Sequence, residues 1–171
     1  MIADRALQRV DRQEIIIVDH KKGKSAAIDP ATGQPYTFFF VDNTSHSQGT
    51  FESPFNTLLA AESASGPNDV IYVFTGDGTD TGMNSGITLQ RGQQLLGAGI
   101  NQRILTTQGT IIIPAQDTGL PIISNANDPS AFGVQLSAGN NVVSGLYLQD
   151  LQGNPIGTVF SGLAWIRRKL M

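Results

Sequence analysis

The sequence predicts an all-β protein, a right-handed parallel β-helix (solenoid) with a short N-terminal capping helix and a preceding small β segment. Three observations predict it. Apolar runs are short and β-branched, and 19 glycines punctuate them, the pattern of many strands joined by tight turns. A stretch from Gly86 to Gly97 aligns with Gly133 to Ser144, at an offset of 47 residues. One helical pattern, near residues 54–64, precedes that repeat and is placed to cover an open strand edge.

Taken in order, residues 1–24 form a charged leader, read as the end of a missing upstream domain. It holds Arg5, Arg9, Arg12, Lys21, Lys22 and Lys24. Within it Glu14–Asp19 is β-branched and reads as a strand. Residues 25–48 form a β segment and linker. Ser25–Asp29 is a weak strand, Pro30–Pro35 a turn rich in Pro and Gly, and Tyr36–Val41 a strong strand. The three strands are expected to form a meander.

Residues 49–161 are assigned to the β-helix. Ser53 is placed to cap the helix, and Pro54 suits its first position. Phe55, Leu58 and Leu59 then share one face, expected to lie against Ile71 and Val73 of the strand Val70–Phe74. In the repeat, Ile87 meets Val134, Leu89 meets Leu136, and Leu95 and Leu96 meet Val142 and Val143. The triplet Ile111 to Ile113 falls midway, suggesting units of 23–24 residues stacked as rungs. Ile122 and Leu146 complete the expected core. Asn140 and Asn141 are expected to stack as an amide ladder. Residues 162–171 form an atypical tail, read either as a cap, with Leu163, Trp165 and Ile166 over the last rung, or as the end of a fragment.

Charge narrows the partners. Net charge is −3, and between Ser25 and Ile166 only Arg91 and Arg103 are basic, against ten carboxylates. Such a body repels phosphate backbones and polyuronates, so nucleic acid is not an expected partner. There is no Cys, which removes disulfides and thiolate metal sites. No apolar run has the length of a membrane-spanning helix, and no signal peptide is visible, so no membrane insertion by this chain itself is expected.

Catalytic residues do not assemble in the sequence. A polysaccharide lyase needs a base and cations beside its uronate, and Arg91 sits in a Gln-Arg-Gly turn. Inverting glycosidases need converging carboxylates, whereas Asp117, Asp128 and Asp150 are scattered in turn contexts. His20 and His46 are the only histidines, and neither has an identifiable orienting acid. No cofactor is expected. Asp77, Asp80 and Asn84 form a weak Ca²⁺ candidate, because they cluster oxygen ligands without EF-hand spacing.

Gly49-Thr-Phe-Glu-Ser-Pro-Phe-Asn-Thr-Leu58, Ala60-Ala61 and Asp69–Val73 together resemble the opening of pectin-lyase-like right-handed β-helices. Gly86–Gly99 and Gly109–Ala115 look like the β-helix of large surface proteins of chlamydia-like bacteria. In those proteins the helix follows an inverse-autotransporter-type outer-membrane β-barrel, and Arg12–Val18 is similar to the segment joining the two. The resemblance covers roughly residues 12–158, without the barrel. It implies a non-enzymatic structural or binding β-helix within an adhesin-like protein, at the cell surface or outer membrane as part of the full-length protein. Its partner would be an unidentified protein or glycan. The alternatives are a fragment of a carbohydrate-active enzyme, either polysaccharide lyase or glycoside hydrolase, and a non-functional truncated remnant.

Overall fold

A computed structural model describes residues 5–11, 13–19, 23–45, 48–128, 130–136, 139–149, 156–158 and 165–166. Its strands are β1 (Arg5–Asp11), β2 (Glu14–Asp19), β3 (Gly23–Ala26), β4 (Phe38–Val41), β5 (Val70–Val73), β6 (Ile87–Leu89), β7 (Gln94–Gly97), β8 (Gln102–Thr106), β9 (Gly109–Ile113), β10 (Ile122–Ile123), β11 (Val134–Leu136), β12 (Val142–Ser144), β13 (Tyr147–Leu148), β14 (Ile156–Thr158) and β15 (Trp165–Ile166). One helix, α1, spans Leu58–Ala64.

The strands form five small sheets. Three are parallel, in the orders β15-β12-β7-β5-β4, β14-β11-β6 and β10-β13, and two are antiparallel, β1-β2-β3 and β8-β9. This mixture overturns the expected right-handed β-helix: no solenoid is found among the described residues. The decisive segment is Ile111–Ile113. It does not lie between Ile87 and Val134, which pair directly with each other. Instead Ile111 pairs antiparallel with Ile104 in the β8–β9 hairpin. The chain reverses over Thr107 and Gln108, where the Thr106 hydroxyl donates to the Gly109 carbonyl and Gly109 adopts φ 107°. A repeat of 23–24 residues is therefore a coincidence of spacing.

The 47-residue alignment does describe one pairing, Ile87 with Val134 and Leu89 with Leu136. It slips by one residue in the next strand: Leu95 faces Val143, and Leu96 faces Ser144. The second turn holds one more residue than the first, and Asn140 there takes a left-handed φ of 68°.

The expected meander of residues 14–19, 25–29 and 36–41 is also corrected. The antiparallel meander is β1-β2-β3, and β4 leaves it to pair in parallel with β5, Phe38 against Val70 through Val41 against Val73. Nothing in β5 is exposed, as an all-apolar strand of a parallel sheet requires. Its alternate side chains feed two cores. Val70 and Tyr72 join Ile15, Ile17, Phe38, Ile104, Ile111 and Ile113. Ile71 and Val73 join Leu58, Ile87, Leu89, Leu95, Val134 and Leu136. The five-stranded sheet is thus the shared wall between the meander and hairpin on one side and α1 with the β6–β11 sheet on the other.

The helix begins later than its sequence pattern suggests. Ser53 and Pro54 are not its cap and first turn. Phe55 is held extended, bridging Val41 and accepting from Asp42 N at 2.8 Å. Thr57 is the N-cap, its hydroxyl accepting from Ala60 N at 3.1 Å. Leu58 is buried against Ile71 and Val73, but Leu59 is 55% exposed, and Ala61 takes the inward position instead. Pro54 is buried, while Phe55, Ile122, Val142 and Leu146 are half-buried.

Candidate functional site

A cleft of about 210 Å³ with polar walls lies where the turn after β3 meets the loop between α1 and β5. Asp29, Thr32, Tyr36, Asn68 and Asp69 are among its lining residues. The Asp29-Pro-Ala-Thr sequence builds one wall by local hydrogen bonding. Ala31 N donates to Asp29 Oδ1 at 2.9 Å, and the Thr32 hydroxyl donates to Oδ2 at 3.1 Å. Tyr36 lies behind it. Its hydroxyl donates to the Leu105 carbonyl at 2.8 Å and lies 3.3 Å from Asp29 Oδ1. Burial first, and then the neighbouring Asp29 carboxylate, hold the Tyr36 phenol well above its ordinary pKa.

The other wall begins where Gly66 and Pro67 stop α1. Gly66 N donates to Asp69 Oδ2 at 2.7 Å, and Asn68 is left-handed at φ 68°. Burial raises the Asp69 carboxyl above the usual carboxylate range, with the Gly66 hydrogen bond opposing it. Among the described residues neither Lys, Arg nor His lines the cleft, whose carboxylates, amides and hydroxyls offer acceptors.

The sequence-derived Ca²⁺ candidate is divided among separate partners. Asp77 Oδ1 accepts from Thr79 N at 2.9 Å, the Thr79 hydroxyl at 2.7 Å and Asn43 Nδ2 at 2.6 Å. The Thr79 hydroxyl, Thr79 N and then Asn43 hold the Asp77 carboxyl below its ordinary pKa. Asp80 accepts from the Ser124 hydroxyl, and Asn84 Oδ1 accepts from Asn127 Nδ2 at 2.8 Å. These bonds stitch the 76–86 loop to residues 43 and 124–127. Among the described residues no three His, Asp or Glu side chains gather as metal ligands.

The remaining titratable candidates are also dispersed. Asp117 Oδ2 accepts from Thr75 N at 2.6 Å, and Asp128 Oδ1 accepts from Ser130 N at 3.1 Å. Arg91 and Arg103 are exposed on different turns and strands. His20, His46 and Asp150 lie outside the described residues, as do Leu163 and Arg167–Lys169 of the tail.

The amide ladder has a different membership from the one expected. Asn140 is exposed at its turn. Asn141 is buried, and its amide nitrogen donates to the Gln90 and Gln93 carbonyls. Gln93 in turn donates to the Ser65 hydroxyl at 3.0 Å, and its Oε1 accepts from Gln90 N at 2.7 Å. A polar column thus links the C-cap of α1 to the turns before β7 and β12. Asn141 Oδ1 and the Tyr72 hydroxyl are buried without a partner among the described residues. Burial, and then Asp117, push the Tyr72 phenol up to about 12.

The cleft itself was not visible in the sequence. Its residues come from 29–37 and 67–69, which only the pairing of β4 with β5 brings together. Fold and site together define a mixed β protein carrying an uncharged-to-acidic cleft. No family model, no curated protein and no solved structure matches the chain. No helix among the described residues is long and apolar enough to cross a membrane.

Proposed function

We propose that this chain is a non-enzymatic structural and binding module of a surface-displayed, adhesin-like protein, with a protein or glycan ligand. The observation that carries the non-enzymatic reading is how the described carboxylates are used. Asp29, Asp69, Asp77, Asp117 and Asp128 each accept from backbone N–H groups of nearby turns or loops, which is how Asp stabilises loops rather than how an acid–base pair is arranged. The surface role rests on the resemblance of Gly86–Gly99 and Gly109–Ala115 to surface proteins of chlamydia-like bacteria.

A polysaccharide panel tests it with two readouts on the same protein, release of reducing ends and retention of the labelled chain. Retention on one polysaccharide or host-cell surface, without new reducing ends, is the expected result. Release of reducing ends that disappears in Asp69→Asn would overturn the proposal in favour of a carbohydrate-active enzyme.

A further inference from the structure

The two carboxylates of the cleft are not equally provided for. Asp29 is the more deeply buried, at 7% exposure, and its needs are met from within the chain, by Ala31 N and the hydroxyls of Thr32 and Tyr36. Asp69 is half-buried, and among the described residues its hydrogen bonding is the one contact from Gly66 N to Oδ2. Its Oδ1 takes no donor there, and no cationic side chain lines the cleft beside it. A carboxylate drawn out of water without a cation to pair with is costly, and burial accordingly raises its pKa. Two side-chain amides that line the same cleft, Gln34 and Asn68, form no hydrogen bond among the described residues either. Pro35 and Pro67, one from each wall, add apolar ring surface.

We propose that the cleft binds one amino-sugar residue of a glycan, with the ammonium group of the sugar paired to Asp69. This ligand class rests on the glycan-binding reading of the module. The half-buried carboxylate calls for a positive charge that the cleft does not supply. The amides of Gln34 and Asn68 each donate and accept, which matches the hydroxyls of a sugar ring, while the two prolines suit its C–H face. The volume of about 210 Å³ falls below the roughly 300–1,000 Å³ of sites for drug-sized ligands, so it suits a single ring. A uronate would bring a third negative charge to Asp29 and Asp69 and is disfavoured. A lysine side chain offers the same ammonium, but it has no hydroxyls and leaves Gln34 and Asn68 unused.

Titration of the isotope-labelled full chain, followed by amide chemical shifts, tests the proposal. The probes are glucosamine, N-acetylglucosamine, glucose, glucuronate and an amide of acetyl-lysine with its side-chain amine free. Glucosamine is expected to shift the amides of residues 31–34 and 68–69 and to bind about tenfold more tightly than each of the others, the scale of one hydrogen bond to a charged group. Asp69→Asn keeps an acceptor for Gly66 N and removes the charge, so it should melt near the wild type and lose the preference for glucosamine. Asp77→Asn, outside the cleft, should keep it. The comparison of glucosamine with N-acetylglucosamine needs no variant and decides the matter even where Asp69→Asn misfolds. Equal binding of glucosamine and glucose overturns the proposal, as do shifts confined to residues outside the cleft or an unchanged preference in folded Asp69→Asn. Tighter binding of the lysine derivative overturns it in favour of a protein ligand. A chain retained on a polysaccharide without competition by glucosamine loses this ligand and keeps the wider binding-module reading.

Discussion

Replacing Leu58 by Ala separates the inward face of α1 from the outward one. Leu58 is 1% exposed and packs in the core that holds Ile71, Val73 and Met83. Truncating a buried Leu to Ala costs about 2–5 kcal/mol, the transfer of the lost methyl groups plus the cavity left behind. A middle value of about 3 kcal/mol is reasonable here, because the helix is short and its end is tied by Gln90 and Gln93 to Ser65, which limits collapse into the void. In a chain of 171 residues that corresponds to a drop of roughly 6–12 °C in Tm. Leu59→Ala is the internal control. With Leu59 at 55% exposure, its change should stay within about 0.5 kcal/mol. Thermal melts followed by circular dichroism measure both. Equal losses for the two variants, or a larger loss for Leu59→Ala, would refute the orientation of the helix. Leu58→Asp goes further and is expected to give insoluble or protease-sensitive protein.

Three further outcomes follow from the same geometry. Gly97→Ala places a Cβ 1.9 Å from the Gly145 carbonyl oxygen, so it should destabilise the β7–β12 region by roughly 1–3 kcal/mol in a urea titration. Asn141→Ala leaves the Gln90 and Gln93 carbonyls short of a donor and should cost about 1–3 kcal/mol, whereas Asn140→Gly, at an exposed left-handed position, should be neutral or slightly favourable. Burial raises the Glu62 carboxyl above its ordinary 4.5, against the opposing Thr88 hydrogen bond. A carboxyl that binds its proton more tightly when folded weakens the fold as pH rises through the window that starts near 4.5 and extends upward. Glu62→Gln keeps an acceptor for Thr88 N without the charge, so relative to wild type it should gain stability towards pH 7 and show no gain below 4.5.

The sequence made some elements legible because a local pattern decided them. The continuous apolar run at Val70–Val73 could only be a buried strand, and Ile87 and Leu89 could be matched to Val134 and Leu136 because Gly86 and Gly133 open both segments. The one-residue slip beyond them was hidden, since an extra turn residue changes register without changing hydrophobicity. The hairpin was misread for a related reason. Gln102, Ile104 and Thr106 face inward and Arg103 and Leu105 outward, so burial alternates while hydrophobicity does not, and the spacing of Ile111 remained the stronger signal. Ser53-Pro54 offered a better local start for the helix than Thr57 does. The bridge from Phe55 to Val41 overrode it, and a contact across 14 positions leaves no local trace.

The four residues of β5 supply side chains to both apolar layers, Val70 and Tyr72 to one and Ile71 and Val73 to the other. Neither layer has a wall of its own on that side. Damage to the meander at Ile15 is therefore felt at Leu58, some way across the molecule, because both press on the same narrow septum. Heat should dissolve the two layers together, as a single calorimetric transition whose van't Hoff and calorimetric enthalpies agree.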